Sequence, residues 1–390
     1  MASLKSGDGI LKVGPQHYRV FIELPPKADG KRRRESRTVR GSLQEAKDLR
    51  ARMLADKARG EYVGKSEQRL ADYLESWLAW KESRVSGRTW NRYASLLRSS
   101  IIPALGHLRL QELTPQHLDE FYASSLKTES GQRKGSRLSP TTVHHRHVAL
   151  KMALKRAVEL GILVRNPADF TQPPRVNRPQ MRVLDEAETA KLIGALEGTP
   201  AELVGYLALM TGARLGELLA LRWCDLDLAG QVMYVRQSLV ENVDGRGAPT
   251  WYSFKEPKSG KGRNVDLDAG TVTRLKAHRK AQSEAKLRLG VAWTELDLVI
   301  TNAVGEPIRP STASTHFRTV ARAAGLAGLR FHDCRHTHAT ILLKTGVPPH
   351  VVSQRLGHAS VAFTLEVYSW VLPGQQRAAA DGFAAAIAAQ

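Results

Sequence analysis

The chain has 390 residues, 42% hydrophobic and 25% charged, with a net charge of +20 and a pI near 10.1. That length accommodates two or three domains, each burying a core, and the charge excess points to a polyanionic partner, above all nucleic acid. With only Cys224 and Cys334 there is no disulfide framework and no CxxC, which fits a reducing compartment. The alternative reading of the charge is a basic soluble protein with no such partner. The opening MASLKSGDGILKVG lacks the apolar stretch of a secretory signal. No run approaches the roughly 18 apolar residues of a membrane span, so no membrane partner is expected.

Residues 1–64 read as a small β-then-helix module. HYRVFIEL (17–24) alternates apolar and polar residues as a half-buried strand does. PPKADGK (25–31) supplies turn chemistry through Asp29-Gly30, and KRRRESRTVRG (31–41) reads as the return strand. Ser42 and Glu45 form a capping box for the helix that follows. Fifteen Lys and Arg against eight Asp and Glu make this module about +7. Lys31, Arg32, Arg33, Arg34 and Arg37 are its candidate DNA contacts; a charged edge strand, protected from pairing, is the alternative.

Residues 65–172 read as helical. Leu70, Tyr73, Leu74, Trp77 and Leu78 make one apolar stripe at i, i+3, i+4, i+7, i+8. Thr114-Pro115 and Ser139-Pro140 are caps followed by Pro at the first helical position. The polar loop 127–137 contributes Lys134, and the HHRH run (144–147) contributes Arg146, as candidate contacts to nucleic acid. The same run also reads as the wet face of a helix. The proline-rich stretch 166–179 lacks periodicity and reads as an interdomain linker, with 173–180 taken as the linker between domains.

From 181 to 390 the chain carries its chemistry. Arg214 follows Thr211-Gly212-Ala213 and opens the helix-like LGELLALRW, where a guanidinium joins backbone N–H groups that already favour an anion. Glu217, three residues on, is placed to brace it. In WYSFKEPKSGKGRNVDL (251–267), two short strands flank a basic turn. Lys258 there is a candidate proton donor to a leaving oxygen, with Lys255 and Lys261 as competitors. His332 and Arg335 in HDCRH share a helix face. His358 follows Leu356-Gly357, a helix end, and Tyr368 comes ten residues later. HDCRHTH also invites a metal reading, but it lacks the Glu of HExxH and a second ligand pair. Two arginines, two histidines and a tyrosine are the parts needed to hold, neutralise and attack a phosphodiester. No GxxxxGK[ST] is present for a nucleoside triphosphate.

The ordered set TGARLGELLALRW, PKSGKGR, HDCRH, LGH and EVYSW resembles the tyrosine recombinase (phage integrase) family over 181–390. The stretch 66–172 resembles that family's core-type DNA-binding domain, and 1–64 more loosely its arm-type module. The resemblance implies a multidomain, mainly α fold: a small β-sheet-plus-helix N-terminal module, an all-α core-binding domain, and a mixed, mostly helical catalytic domain with a β-hairpin or small sheet.

It implies a site-specific recombinase that integrates and excises a mobile element through a 3′-phosphotyrosyl intermediate, with no metal and no cofactor. By this resemblance Arg214 and Arg335 clamp the phosphate, Lys258 is the general acid, and His332 takes the base side. His358 bonds a non-bridging oxygen, Tyr368 is the nucleophile, and Glu217 supports. Ser259 stands where the family commonly has Thr. The implied partners are double-stranded DNA at core and arm sites, a homotetramer on that DNA, a DNA-bending host factor and an excisionase. The implied setting is the bacterial cytoplasm beside the nucleoid. The Ala-rich tail is expected to dock on a neighbouring subunit. Competing readings are a DNA-binding regulator or a resolvase-type recombinase on the same scaffold, and a nicking–closing topoisomerase.

Overall fold

The alternation in HYRVFIEL produces the middle strand of a three-stranded antiparallel sheet: β1 (Ile10–Gly14), β2 (His17–Leu24) and β3 (Arg33–Arg40). The computed structural model describes residues 9–24, 33–59, 63–64, 66–127, 137–176, 181–242, 250–256, 262–368 and 375–388. Val20 and Ile22 of β2 are buried against Ala46 and Met53 of helix α1 (Leu43–Ala58). The expected capping box starts α1: Glu45 N–H donates to Ser42 Oγ, and Ser42 N–H donates to Glu45 Oε2 at 2.6 Å. Strand β1 was not anticipated, because its Leu11, Lys12 and Val13 are all exposed and show no alternation of burial.

The β2–β3 register divides the arginines grouped in the sequence. Arg37 lies opposite buried Val20, on the helix-covered face, whereas Arg34 pairs with Glu23 on the open face. Three positions apart on a strand means opposite faces, so Arg37 does not join Arg34 in one row. Arg19 and Arg40 instead share the open face with Arg34. Lys31, Arg32 and the side chain of Arg33 lie outside the described residues.

The predicted apolar stripe is the buried face of α2 (Leu70–Glu82), with all five residues at most 3% exposed. Helix α3 (Gly87–Leu96) runs through a π-turn, Leu97–Ile101, into α4 (Ile102–Leu105). Pro103, with no N–H to give and a ring that crowds the preceding turn, accounts for the widened turn. Helices α5 (Pro115–Lys127) and α6 (Pro140–Glu159) complete this core, and Ser139 caps α6 by accepting from Thr142 N–H.

On α6 the buried residues Val143, His147, Leu150 and Leu154 form one stripe. Arg146, at i+3 from Val143 and i−4 from Leu150, lies along it; its Nη1 donates to buried Ser125 Oγ at 3.1 Å. Arg146 is thus half-buried at the edge of the stripe. His147 is buried, 2.9 Å from the Tyr122 hydroxyl. Lys134 lies outside the described residues. The start of the presumed linker is also folded: Pro167–Phe170 forms a 3₁₀ turn, tied down by Asn166 Nδ2 donating to Lys151 O.

The chain divides into two units, Met1–Arg178 and Pro179–Gln390. The second begins with α7 (Glu186–Leu196), capped by the anticipated Asp185/Glu188 box, then α8 (Glu202–Thr211) and the short α9 (Leu215–Leu219). Its strands are β4 (Leu226–Asp227), β5 (Val232–Val235), β6 (Ser238–Glu241), β7 (Tyr252–Lys255) and β8 (Arg263–Asp266). Strands β7 and β8 do not pair with each other. β6 pairs with β7, while β5 pairs with both β4 and β8. The segment holding Lys258 therefore joins two sheets rather than capping a hairpin; Lys258 and Lys261 themselves lie outside the described residues.

Five more helices follow: α10 (Ala269–Leu289), α11 (Pro310–Ala323), α12 (Phe331–Lys344), α13 (Pro349–Leu356) and α14 (Val361–Tyr368). The tail forms α15 (Gln375–Ala388), with Phe383 and Ile387 exposed. The core around Leu192, Leu207, Leu219 and Phe317, all fully buried, is the platform from which α9 and α12 present their polar ends. Among the described residues no helix is long and apolar enough to cross a membrane.

Candidate active site

Glu217 is the only acidic side chain in α9, and it is 4% exposed. Its carboxylate accepts four hydrogen bonds. Oε1 takes Arg214 Nη1 (2.8 Å) and Arg263 Nη1 (3.1 Å); Oε2 takes Arg214 N–H (2.9 Å) and Arg263 Nη2 (2.6 Å). All four lone-pair positions are filled, with Arg263 bidentate. Burial pushes this carboxyl's pKa up; the hydrogen bonds and charges of Arg263 and Arg214 outweigh it and hold it at about 2.

The same arginines tie this helix start to the end of α13. Arg214 Nη2 donates to Gly357 O at 3.1 Å, and Arg263 Nε donates to Arg355 O at 2.8 Å. Gly357, left-handed at φ +67, leaves the Arg263 side chain the room it needs: a Cβ there would stand 2.9 Å from Arg263 Cδ. Arg355 in turn donates to His338 Nε2 at 3.0 Å, and His338 Nδ1 lies 2.8 Å from Leu209 O. Both nitrogens of that imidazole are engaged, which removes His338 from the metal reading. Among the described residues no group of three His, Cys, Asp or Glu is placed to hold a metal ion.

Arg335 is 3% exposed, and its Nη1 donates to Gly212 O at 2.8 Å. Its Nη2 is buried with no hydrogen-bond partner among the described residues. Burial, then the charges of Arg214 and Arg263, lower its pKa. A buried guanidinium with an open donor beside other cations is a site that an anion would relieve.

His358 is half-buried with Nδ1 2.7 Å from Thr364 Oγ1. Burial, then Arg335, Arg214 and Arg263, depress it to about 3, so the ring is neutral at pH 7. Tyr368 ends α14 at 1% exposure, and its hydroxyl lies 2.8 Å from Nδ1 of His336.

The structure thus brings Arg214, Glu217, Arg335, His358 and Tyr368 of the anticipated set into one neighbourhood, with His332 at its edge, where burial and then the charges of Arg335 and Arg214 lower its pKa. His332 is exposed in the first turn of α12, its ring edge-on to His336 at 4.9 Å between centroids, with no hydrogen bond to Tyr368. Sequence reasoning missed Arg263 and His336. Arg263 sits in a basic run where nothing singles it out. His336 was weighed only as a metal ligand, although it adjoins Arg335 in HDCRH.

Residues 182–373 match the model described as the phage integrase family, and residues 69–126 match the phage integrase N-terminal SAM-like domain. The chain belongs to the tyrosine recombinase (phage integrase) family. It is a tyrosine-type site-specific recombinase.

The recombinase is 27% identical over 389 residues to the tyrosine recombinase XerC-like protein of Caldanaerobacter subterraneus subsp. tengcongensis, covering 95% of this chain and 96% of that one. It is 29% identical over 333 residues to an integrase of Streptomyces ambofaciens, covering 83% and 82%. Its fold is similar to that of the Tn1549 transposon integrase in complex with transposon right end DNA: TM-score 0.64, 19% identity, 77% of this chain and 94% of that one. It is also similar to a lambda integrase tetramer bound to a Holliday junction, with TM-score 0.56, 17% identity, and 92% and 97% coverage.

The Glu217 carboxylate gives a signed pH prediction. Its folded pKa of about 2 is below its ordinary 4.5, so the stability it contributes is present above pH 4.5 and is lost as pH falls through about 2. Glu217→Gln should destabilise the recombinase by about 3–5 kcal/mol at pH 7, because it strands the buried Arg263 charge. In urea titrations the deficit should shrink as pH falls from 4.5 toward 2. A deficit independent of pH would contradict an ionised, caged carboxylate.

Proposed function

We propose that this recombinase cuts and rejoins double-stranded DNA through a 3′-phosphotyrosyl link on Tyr368, integrating and excising a mobile element. One observation carries the assignment of residues. The buried Arg335 guanidinium has an open Nη2 and shares an electrostatic neighbourhood with Arg214 and the Tyr368 hydroxyl. Among the described residues Glu217 is the carboxylate bound to this cluster, and the four bonds from Arg263 and Arg214 use all of its lone-pair positions. A phosphodiester supplies the missing negative charge.

In this reading Arg214 and Arg335 bind the non-bridging oxygens and stabilise the charge of the pentavalent transition state. His358, oriented by Thr364, donates a hydrogen bond to one of them. Lys258 protonates the 5′ oxygen as it leaves, and His332 lies at the mouth of the site. Glu217 holds Arg214 in place. Because the phosphotyrosine keeps the energy of the broken strand, rejoining needs no nucleotide.

For the domains, the proposal keeps an arm-type module at 1–64, a core-type DNA-binding domain at 65–172, a linker at 173–180 and the catalytic domain at 181–390. The partners are core and arm DNA sites and three further copies of this chain. The lambda integrase tetramer on a Holliday junction supports that assembly. A DNA-bending host factor and an excisionase complete the partner set. The bacterial relatives support a setting in the cytoplasm with the nucleoid.

The chemistry is tested on a nicked suicide duplex carrying the attachment site, read from the junctions of the element that encodes the chain. Without metal, wild type should give a covalent adduct that survives denaturation, and Tyr368→Phe should give none. Absence of an adduct from wild type would favour a DNA-binding regulator.

The arm module gives a second test. Arg34→Ala and Arg40→Ala, on the open face of the sheet, should each weaken arm-site binding and reduce the slope of log K against log salt by about 1. Arg37→Ala, on the helix-covered face, should leave that slope unchanged. Equal slope changes for Arg34 and Arg37 would contradict the sheet face as the DNA surface.

A further inference from the structure

The Tyr368 hydroxyl is enclosed. Its residue packs with Ala339, Leu343, Val352 and Leu356, which offer it no polar group. Its hydrogen-bond partner is His336 Nδ1, 2.8 Å away, with the two ring centroids 5.8 Å apart. His332, one turn earlier on α12, stacks edge-on against His336 rather than reaching the tyrosine. The family resemblance assigns the base side of the reaction to His332; the geometry does not favour that assignment.

We infer that His336, rather than His332, is the catalytic residue that accepts the Tyr368 proton during strand cleavage. The inference rests on the reading of Tyr368 as nucleophile. As the Tyr368 oxygen lone pair forms the O–P bond, the hydroxyl proton passes to His336 Nδ1. The P–O5′ bond breaks with its electron pair on O5′, which takes a proton from the general acid. In ligation the 5′ hydroxyl attacks phosphorus, and the departing tyrosine oxygen recovers its proton from His336.

Without a bound anion the groups around His336 keep it a weak base. His332, Asp333, Arg330 and Arg335 act on it from α12 and the residue preceding it; Tyr368 faces it from α14, and His358 stands between α13 and α14. Burial, then the charges of His332, Arg330 and Arg335, against the opposing Asp333, hold it at about 4, so the ring is neutral at pH 7, and in its Nε2–H tautomer Nδ1 accepts from the Tyr368 hydroxyl. Burial raises Tyr368 to about 12, against the pull of Arg335. With these values the proton stays on tyrosine until phosphorus is engaged. A phosphate anion seated on Arg335 offsets that guanidinium's repulsion of an imidazolium at His336 and strengthens it as a base. The nucleophile is therefore silent without DNA and becomes competent when the phosphate arrives.

The test is single-turnover cleavage by the full chain on the attachment-site suicide duplex, with either oxygen or sulfur at the scissile 5′ position. Sulfur leaves without a general acid, so it isolates the nucleophile's side. His336→Gln and His336→Asn should cleave both substrates more slowly by on the order of 10²–10⁴-fold at pH 7. With sulfur, their rates should climb with pH from 6 to 9 while wild type stays flat, and His332→Ala should keep the flat profile.

Independently of any variant's fold, ¹⁵N-histidine spectra of the wild-type chain should show His336 Nδ1 as an unprotonated, hydrogen-bonded nitrogen that shifts in Tyr368→Phe. Wild-type rates and pH profile in the His336 variants, or a protonated Nδ1, would overturn the inference while leaving the Tyr368 adduct intact. Failure of wild type to form that adduct would overturn both.

Discussion

A single buried carboxylate organises this site. Glu217 lies in the first turn of a five-residue helix too short to be stable alone, and its four hydrogen bonds bind that helix to β8 and to the start of its own turn. Removing two ionised groups from water is costly, and the cost is offset only when geometry is close to ideal and no lone pair is left over. The bidentate Arg263 pair and the Arg214 contacts meet that requirement. The helix start, the β8 edge and the turn after α13 are thereby locked together, and Arg214 is held where its remaining surface faces the site.

In the proposed reading, the charges that Glu217 does not cover hold the phosphate. Arg335 enters from α12 with one nitrogen satisfied by Gly212 and one left over. In a low-dielectric surrounding that arrangement is unfavourable in the empty protein and favourable with a phosphate present, so part of the cost of binding the anion is already met by the fold. Burial first, and Arg335 with it, depresses both His358 and His336. Without DNA these imidazoles are neutral and the tyrosine keeps its proton. Burial keeps the Tyr368 hydroxyl protonated, while Arg335 pulls its pKa the other way.

Much of this was legible in the sequence because it depends on local patterns. The stripe from Leu70 to Leu78, the capping boxes at Ser42 and Asp185 and the helix end at Gly357 are set within a few residues of chain, and all form as expected. Arg214 and Glu217 are three apart on one helix start, so their contact could be foreseen. Long-range pairing was not legible. Arg263 meets Glu217 across 46 residues, through a β5–β8 register no local pattern specifies. The choice between His332 and His336 depends on where α14 delivers Tyr368 against α12. For Arg37 and Arg146 positive charge marks affinity for an anion, while strand parity and the position of the buried stripe, which leave both half-buried, decide which way the side chain points.

The central claim is that Arg214, held by Glu217, and Arg335, left with an open donor, converge on one phosphate in line with Tyr368. A crystal structure of the full chain on attachment-site DNA, with vanadate in place of the scissile phosphate, measures this directly. The account predicts vanadium bound by the Tyr368 oxygen at an apical position, with both guanidinium groups about 3 Å from its equatorial oxygens. Either arginine bound to a different phosphate, with the Glu217–Arg263 pair intact, would contradict it.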